Sequence, residues 1–129
     1  MFLLIDMSQK DQIHLVLFDE ENSIKKRYFG QNRELLLCID SFLQENNLDK
    51  ENLKGIMVVV GTGSFTSTRI ACVVANTFAF VLNISLLAIK IKDVDKIQTL
   101  ISKLLKQPKG HYISATYSGE PNIGGVKKS

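Results

Sequence analysis

The residues best equipped for chemistry fall in one loop, Gly61-Thr62-Gly63-Ser64-Phe65-Thr66-Ser67-Thr68-Arg69. It follows an unbroken apolar run, Ile56–Val60, and precedes a long apolar segment, so the order reads strand, loop, helix. Such a junction can hold an anion. The first-turn amides of a helix lack internal partners, and the helix dipole favours negative charge there. Gly61 and Gly63 permit positive φ and close backbone approach. Ser64, Thr66 and Ser67 could add hydroxyl donors, and Arg69 a guanidinium. Phosphate or adenylate binding is therefore one reading. The other is a tight turn, in which Ser64, Thr66 or Ser67 caps the helix and Phe65 plugs the core. The loop lacks the Gly-Lys-Ser/Thr ending of a P-loop and the third glycine of a dinucleotide-binding turn. Ser64 is not in the Gly-x-Ser-x-Gly setting of a hydrolase nucleophile. Both readings stay open on the residues alone.

Elsewhere the chemical inventory is thin. Asp6 ends the first apolar run, where a carboxylate could face a cleft and hold a metal or phosphate, or form a turn with Ser8. His14 and His111 are the two histidines, and neither has metal-ligand spacing. No catalytic residue and no metal ligand is nominated, and no cofactor is expected.

The elements around the loop read as one small α/β domain. A chain of 129 residues suits a single domain. With 45% hydrophobic and 22% charged residues it is a globular chain, not a disordered one. Met1–Ile5, Gln12–Phe18 and Ser23–Tyr28 read as closely spaced strands, with Asp19-Glu20-Glu21-Asn22 as a turn, and predict an antiparallel meander. Asn32 is placed to cap a helix whose Leu35, Leu36, Ile39, Phe42 and Leu43 share a stripe, with Leu37 and Cys38 off it. Ile56–Val60 reads as a strand buried on both faces. A second helix is predicted from about Ser67 to Asn83, then a strand over Ile84–Ile91. Asp93 is read as the cap of a third helix, with Val94, Ile97, Ile101, Leu104 and Leu105 on one face and lysines opposite.

Charge is uneven. Residues 1–83 carry eight Lys/Arg and ten Asp/Glu, whereas residues 84–129 carry eight Lys and three acids. That asymmetry suits either nucleic-acid contact or a solvated basic helix and tail. No aromatic residues interleave the lysines, as a single-strand binding face would want. Cys38 and Cys72 lie in apolar helical stretches and read as reduced core residues, which with the absence of a signal segment predicts a cytoplasmic protein. The apolar stretch Ile70–Ile89 is interrupted by Asn76, Thr77, Asn83 and Ser85, so a membrane span is not expected.

The loop and its surroundings resemble the TsaB (YeaZ) family. That family's signature, roughly V-x-x-G-P-G-S-F-T-G-L-R-I-G-x-x-x-A-x-x-x-A, stands here as Val58-Val59-Val60-Gly61-Thr62-Gly63-Ser64-Phe65-Thr66-Ser67-Thr68-Arg69-Ile70-Ala71, with Ala75 and Ala79 at the later positions. Leu3-Leu4-Ile5-Asp6-Met7-Ser8 is similar to the opening L-x-I-D-T-S, and Glu34–Asp40 to the first helix. Tyr117-Ser118-Gly119-Glu120-Pro121 is similar to the closing Y-x-R-x-P. Thr62, Ser67, Thr68 and Met7 depart from the pattern, standing where the family has Pro, Gly, Leu and Thr.

The resemblance implies a ribonuclease-H-like lobe of the actin/Hsp70/sugar-kinase superfamily, a mixed sheet with helices on both faces. It implies residues 1–110 as the N-lobe and 111–129 as a tail left from a second lobe that is mostly missing. That missing lobe argues against ATP binding by this chain alone. It further implies a non-catalytic subunit that supports a TsaD-type transferase in making N6-threonylcarbamoyladenosine in tRNA. The resemblance also implies a TsaE-type ATPase at the junction. Self-pairing when alone is expected because a two-fold axis can pair identical apolar patches, and the lysine-rich face of residues 90–109 is expected to meet tRNA only indirectly or within the complex. Two other readings remain: a small nucleotide- or phosphate-binding enzyme using Gly61–Arg69 and Asp6, and a paralogue that only forms homodimers.

The second helix carries a physical argument of its own. A helix apolar on all sides cannot be covered by one sheet. Ile70, Val73, Val74, Thr77 and Val81, with Leu36 and Leu37 of the first helix, are therefore expected on an outer face that seats a partner.

Overall fold

The computed structural model describes residues 1–30 and 32–110. The suggested short strand in the tail and the Tyr117–Pro121 motif lie outside the described residues. Five strands form one sheet in the order β3-β2-β1-β4-β5, with β1 at Phe2–Asp6, β2 at Gln12–Phe18, β3 at Ser23–Phe29, β4 at Gly55–Val60 and β5 at Ser85–Lys90. β1, β2 and β3 make the expected antiparallel meander, and β4 and β5 add in parallel to β1. This is the predicted mixed α/β sheet.

Helices cover both faces. α1 (Leu35–Glu45) and α2 (Phe65–Leu82) lie on one face, over Leu3, Ile5, Leu15, Ile56, Val58 and Leu86. On the other face a 3-10 segment, Ile91–Leu100, runs into α3 (Ile101–Leu105), and Ile97, Ile101 and Leu104 pack over Phe2, Leu4, Met57, Val59 and Leu87. β1 and β4 are buried throughout because side chains of both parities meet a core. β3, by contrast, is an exposed edge, and only Tyr28 is half-buried.

Three element readings need correction. A 3-10 turn, Asn32–Glu34, precedes α1, so Asn32 is not its cap. α2 begins at Phe65 rather than Ser67. The third helix is mostly 3-10 and starts at Ile91, before Asp93, whose carboxylate reaches back to the Lys90 N–H at 3.4 Å. Its apolar Val94, Ile97 and Leu100 recur every three residues, the period of a 3-10 helix, and Lys96 breaks the helical backbone at φ −128°. Asn83 ends α2 in the left-handed conformation, which turns the chain directly into β5.

Candidate functional site

The glycine loop is built by geometry that only its residues tolerate. Gly61 and Gly63 have φ of +84° and +93°. A Cβ on Gly63 would lie 2.9 Å from the backbone of Ser8, so the loop seats directly on the β1–β2 turn. Ser64 then caps α2: its Oγ accepts from the Ser67 N–H at 3.0 Å and lies 2.9 Å from the Ser67 hydroxyl. Ser67 Oγ in turn donates to Asn32 Oδ1 at 2.9 Å, which ties the start of α2 to the chain entering α1. The hydroxyls of Ser64 and Ser67 thus already serve protein groups.

Around this junction lies an open groove of about 640 Å³, lined among others by Ser8, Lys10, Asn32, Arg33, Gly63 and Ser64. The other predicted loop residues do not converge on it. Thr66 is exposed, and Thr68 is the hydroxyl buried in the core. Phe65 does not plug the core as one reading expected. It is half-exposed, and the Arg69 guanidinium lies 5.8 Å from its ring centre. Arg69 is exposed and has no acidic or carbonyl partner among the described residues. With α2 starting at Phe65, Arg69 lies beyond the first turn, where the unfavourable helix-dipole effect on a cation has fallen off.

Asp6 belongs to a different surface. The strand parity that buries Phe2 and Leu4 against α3 also turns Asp6 to that side, away from the glycine-loop groove. Its Oδ1 accepts from the Ser8 N–H at 2.9 Å and the Ser8 hydroxyl at 2.6 Å, and its Oδ2 lies 3.5 Å from His14 Nδ1. Burial pushes the Asp6 carboxyl up, but the hydrogen bonds from His14 and Ser8 together outweigh it and hold the group below its ordinary value. His14 is the functional-type residue that sequence reasoning passed over. Strand register places it directly opposite Asp6. Among the described residues no three His, Cys, Asp or Glu side chains cluster as a metal site would need.

The cysteines are both free. Burial pushes the thiols of Cys38 and Cys72 up, so neither is an activated nucleophile.

The outer face of α2 departs from expectation at Val74, which is buried at 9% exposure in the α1–α2 core. It belongs with Ala71, Cys72, Ala75, Phe78 and Ala79 on the sheet-facing side. Val73, Thr77 and Val81 do face outward, and Ile70 is half-buried at the edge. Phe80, which was not anticipated, is the most exposed apolar side chain of α2 at 77%, and Leu36 and Leu37 are exposed on α1. α2 meets the length and composition of a membrane span, but it buries a full side against the sheet.

Comparison with known proteins agrees with this architecture. The chain is similar to the structure of YeaZ from Pseudomonas aeruginosa, with 25% identity and a TM-score of 0.62, over 69% of this chain and 43% of that one. It is also similar to a structure described as an uncharacterized protein with similarity to peptidase YeaZ from the same organism, with 25% identity and a TM-score of 0.63, over 69% of this chain and 42% of that one. The chain therefore spans less than half the length of these structures. No curated protein matches it at a significant level. Residues 31–116, more than half of the sequence, match the model of TsaD, tRNA N6-adenosine threonylcarbamoyltransferase, and the chain belongs to that family.

Proposed function

We propose that this chain is a non-catalytic, TsaB-like scaffold that seats a TsaD-type transferase in tRNA N6-threonylcarbamoyladenosine modification. The observation that carries the reading is the exposed apolar band on α1 and α2. Leu36, Leu37, Val73, Phe80 and Val81 are each more than half exposed, and Thr77 lies among them. These side chains sit on the outside of helices whose inner sides already fill the core. Large apolar side chains left exposed on the outer side of a helix layer are the kind of surface that contact sites use. A specific contact buries roughly 800 Å² on each partner, an area that two helices on one face of the sheet can supply.

The similarity to the YeaZ structures supports the scaffold reading. The hydroxyls of Ser64 and Ser67 already serve protein groups, and Asp6 lies on the other face of the sheet from the glycine-loop groove. In this proposal ATP is not bound by the chain alone, a TsaE-type ATPase joins the assembled pair, and tRNA is met within the complex. A homodimer through the same face forms when the transferase is absent, since a two-fold axis pairs identical apolar patches.

The test is solution mass. The chain alone should self-associate, and a TsaD-type transferase should displace the second copy to form a mixed complex. Val81→Asp and Phe80→Asp should abolish both without loss of circular dichroism. A wild-type chain that stays monomeric and ignores the transferase ends the proposal.

A further inference from the structure

β3 pairs with β2 on one side and ends the sheet on the other. Which of its backbone groups are left free follows from the two ends of the pairing. The Gly30 N–H donates to the Asp11 carbonyl at 3.0 Å, and the Asp19 N–H to the Asn22 carbonyl at 2.9 Å. Both bonds continue the β2–β3 register by one residue at each end. Bonded and non-bonded pairs alternate along an antiparallel ladder. Ile24, Lys26 and Tyr28 therefore bond to β2, opposite Leu17, Leu15 and Ile13. The N–H and C=O groups of Ser23, Lys25, Arg27 and Phe29 point the other way, along the free edge, and have no partner among the described residues.

The side chains follow the same alternation. Lys25, Arg27 and Phe29 rise from one face of β3, and all three are exposed. Lys26 takes the opposite face, 2.8 Å from the Glu45 carboxylate. Between Ser23 and Phe29 there are three cations and no acid. A bare edge is a template for another strand, and its charge decides which one. A second copy paired antiparallel about Lys26 would set Lys25 against Arg27 and Lys26 against itself. Like charges directly opposed destabilise such a pair, so the cations guard this edge against its own kind. An acidic strand meets the reverse condition.

We propose that β3 is a docking edge for an extended acidic segment of another protein, which joins the sheet antiparallel to β3. Its backbone takes the free groups of Lys25, Arg27 and Phe29. Carboxylates at alternating positions face Lys25 and Arg27, and an apolar side chain covers Phe29. The proposal does not rest on the α1–α2 band. Val81→Asp, which removes association through that band, should leave docking at β3 unchanged.

The experiment titrates the full chain with a capped peptide of alternating valine and glutamate, and separately with its valine–lysine counterpart. Amide NMR shifts and hydrogen exchange give the readout. The glutamate peptide should slow exchange at the Lys25, Arg27 and Phe29 amides. Those of Ile24, Lys26 and Tyr28 should be slow beforehand, because they bond to β2. Lys25→Glu combined with Arg27→Glu should weaken the glutamate peptide by about tenfold or more and admit the lysine peptide. Arg27→Pro should abolish binding of both, since it deletes an edge N–H that β2 does not use. Lys26→Ser should change little, because its ammonium faces Glu45. Circular dichroism checks the fold of each variant. Unchanged exchange at the three edge amides overturns the proposal, as does equal binding of the two peptides by the wild type. Edge protection that grows with the concentration of the chain alone also overturns it, and assigns the edge to a second copy.

Discussion

The two faces of the sheet carry different surfaces. On the α1–α2 face two helices fill the core, yet their outside is still apolar, with Val73, Phe80 and Val81 in solvent. On the α3 face the helical cover is short and leaves β3 bare, and the buried polar pair Asp6–His14 lies beside Lys25 and Arg27 of that strand. The first face has apolar surface beyond what its own fold can bury. The second has charged groups held in place with room beside them. One is suited to a broad, desolvated contact and the other to a charged contact along the β3 edge. Substitutions on each face should accordingly fail in different ways.

The largest contrast lies within α2 itself. Val74 and Val81 are seven residues apart, but Val74 is in the core and Val81 is 69% exposed. Val74→Asp puts an unpaired carboxylate among Ala71, Phe78 and the sheet, at a cost of about 3–5 kcal/mol. That is a large share of a small domain's stability, and thermal melts should show a chain largely unfolded near physiological temperature. Val81→Asp should leave the melt nearly unchanged and abolish association. Equal melts for the two variants would erase the distinction between the inner and outer sides.

Gly63 joins the two faces, because its loop rests on the Ser8 turn that also supplies the partners of Asp6. Gly63→Ala meets both a φ of +93° and a backbone contact at 2.9 Å that no side-chain rotation relieves. A loss of about 1–3 kcal/mol is expected by urea denaturation. Alanine tolerated at wild-type stability would mean that the loop sits away from Ser8.

Asp6 gives the α3 face a pH signature. Its carboxyl is held below the ordinary 3.8 of an unfolded Asp. The unfolded chain therefore takes up its proton first as pH falls. The stabilisation is complete above pH 3.8 and is lost as the pH drops through the lower folded value. Urea midpoints measured from neutral pH downward should show this acid limb, and in Asp6→Asn that component should be flat. An identical acid limb in the variant would remove the charged Asp6–Ser8–His14 arrangement from the account.

The order of strands and helices was legible because each element is long, apolar and separated by polar turns. The rotation of α2 was not, because apolar residues occur all round it, and so Val74 was placed outside and Phe80 was overlooked. The Asp6–His14 pair was hidden for a related reason. β1 and β2 are buried on both faces over nearly their whole length, so no alternation reveals their register. The 3-10 segment was hidden too, because Val94, Ile97, Ile101 and Leu104 alternate three and four as in an α-helix, while Val94, Ile97 and Leu100 also repeat at three. The glycine loop showed its turn chemistry but not its use. A capping serine and a phosphate-binding serine are the same residue until the partner of the hydroxyl is known.

That ambiguity can be tested at Ser64, where the smallest effect is expected. The Ser64 hydroxyl accepts the Ser67 N–H and meets the Ser67 hydroxyl, while Ser67 Oγ continues to Asn32. Ser64→Ala removes the backbone cap and should cost about 1 kcal/mol in a thermal or urea melt. Ser67→Ala leaves that backbone cap in place and cuts the hydroxyl contacts to Ser64 and Asn32, so its cost should be smaller. In the double variant the two losses should not add, because the Ser64–Ser67 contact is shared. Association through Val81 should persist in all three variants, since the cap lies at the opposite end of α2 from Phe80 and Val81. If Ser64→Ala leaves stability unchanged but abolishes association, the hydroxyl acts at a contact rather than as a cap, and the start of α2 must be counted as part of the partner-binding surface.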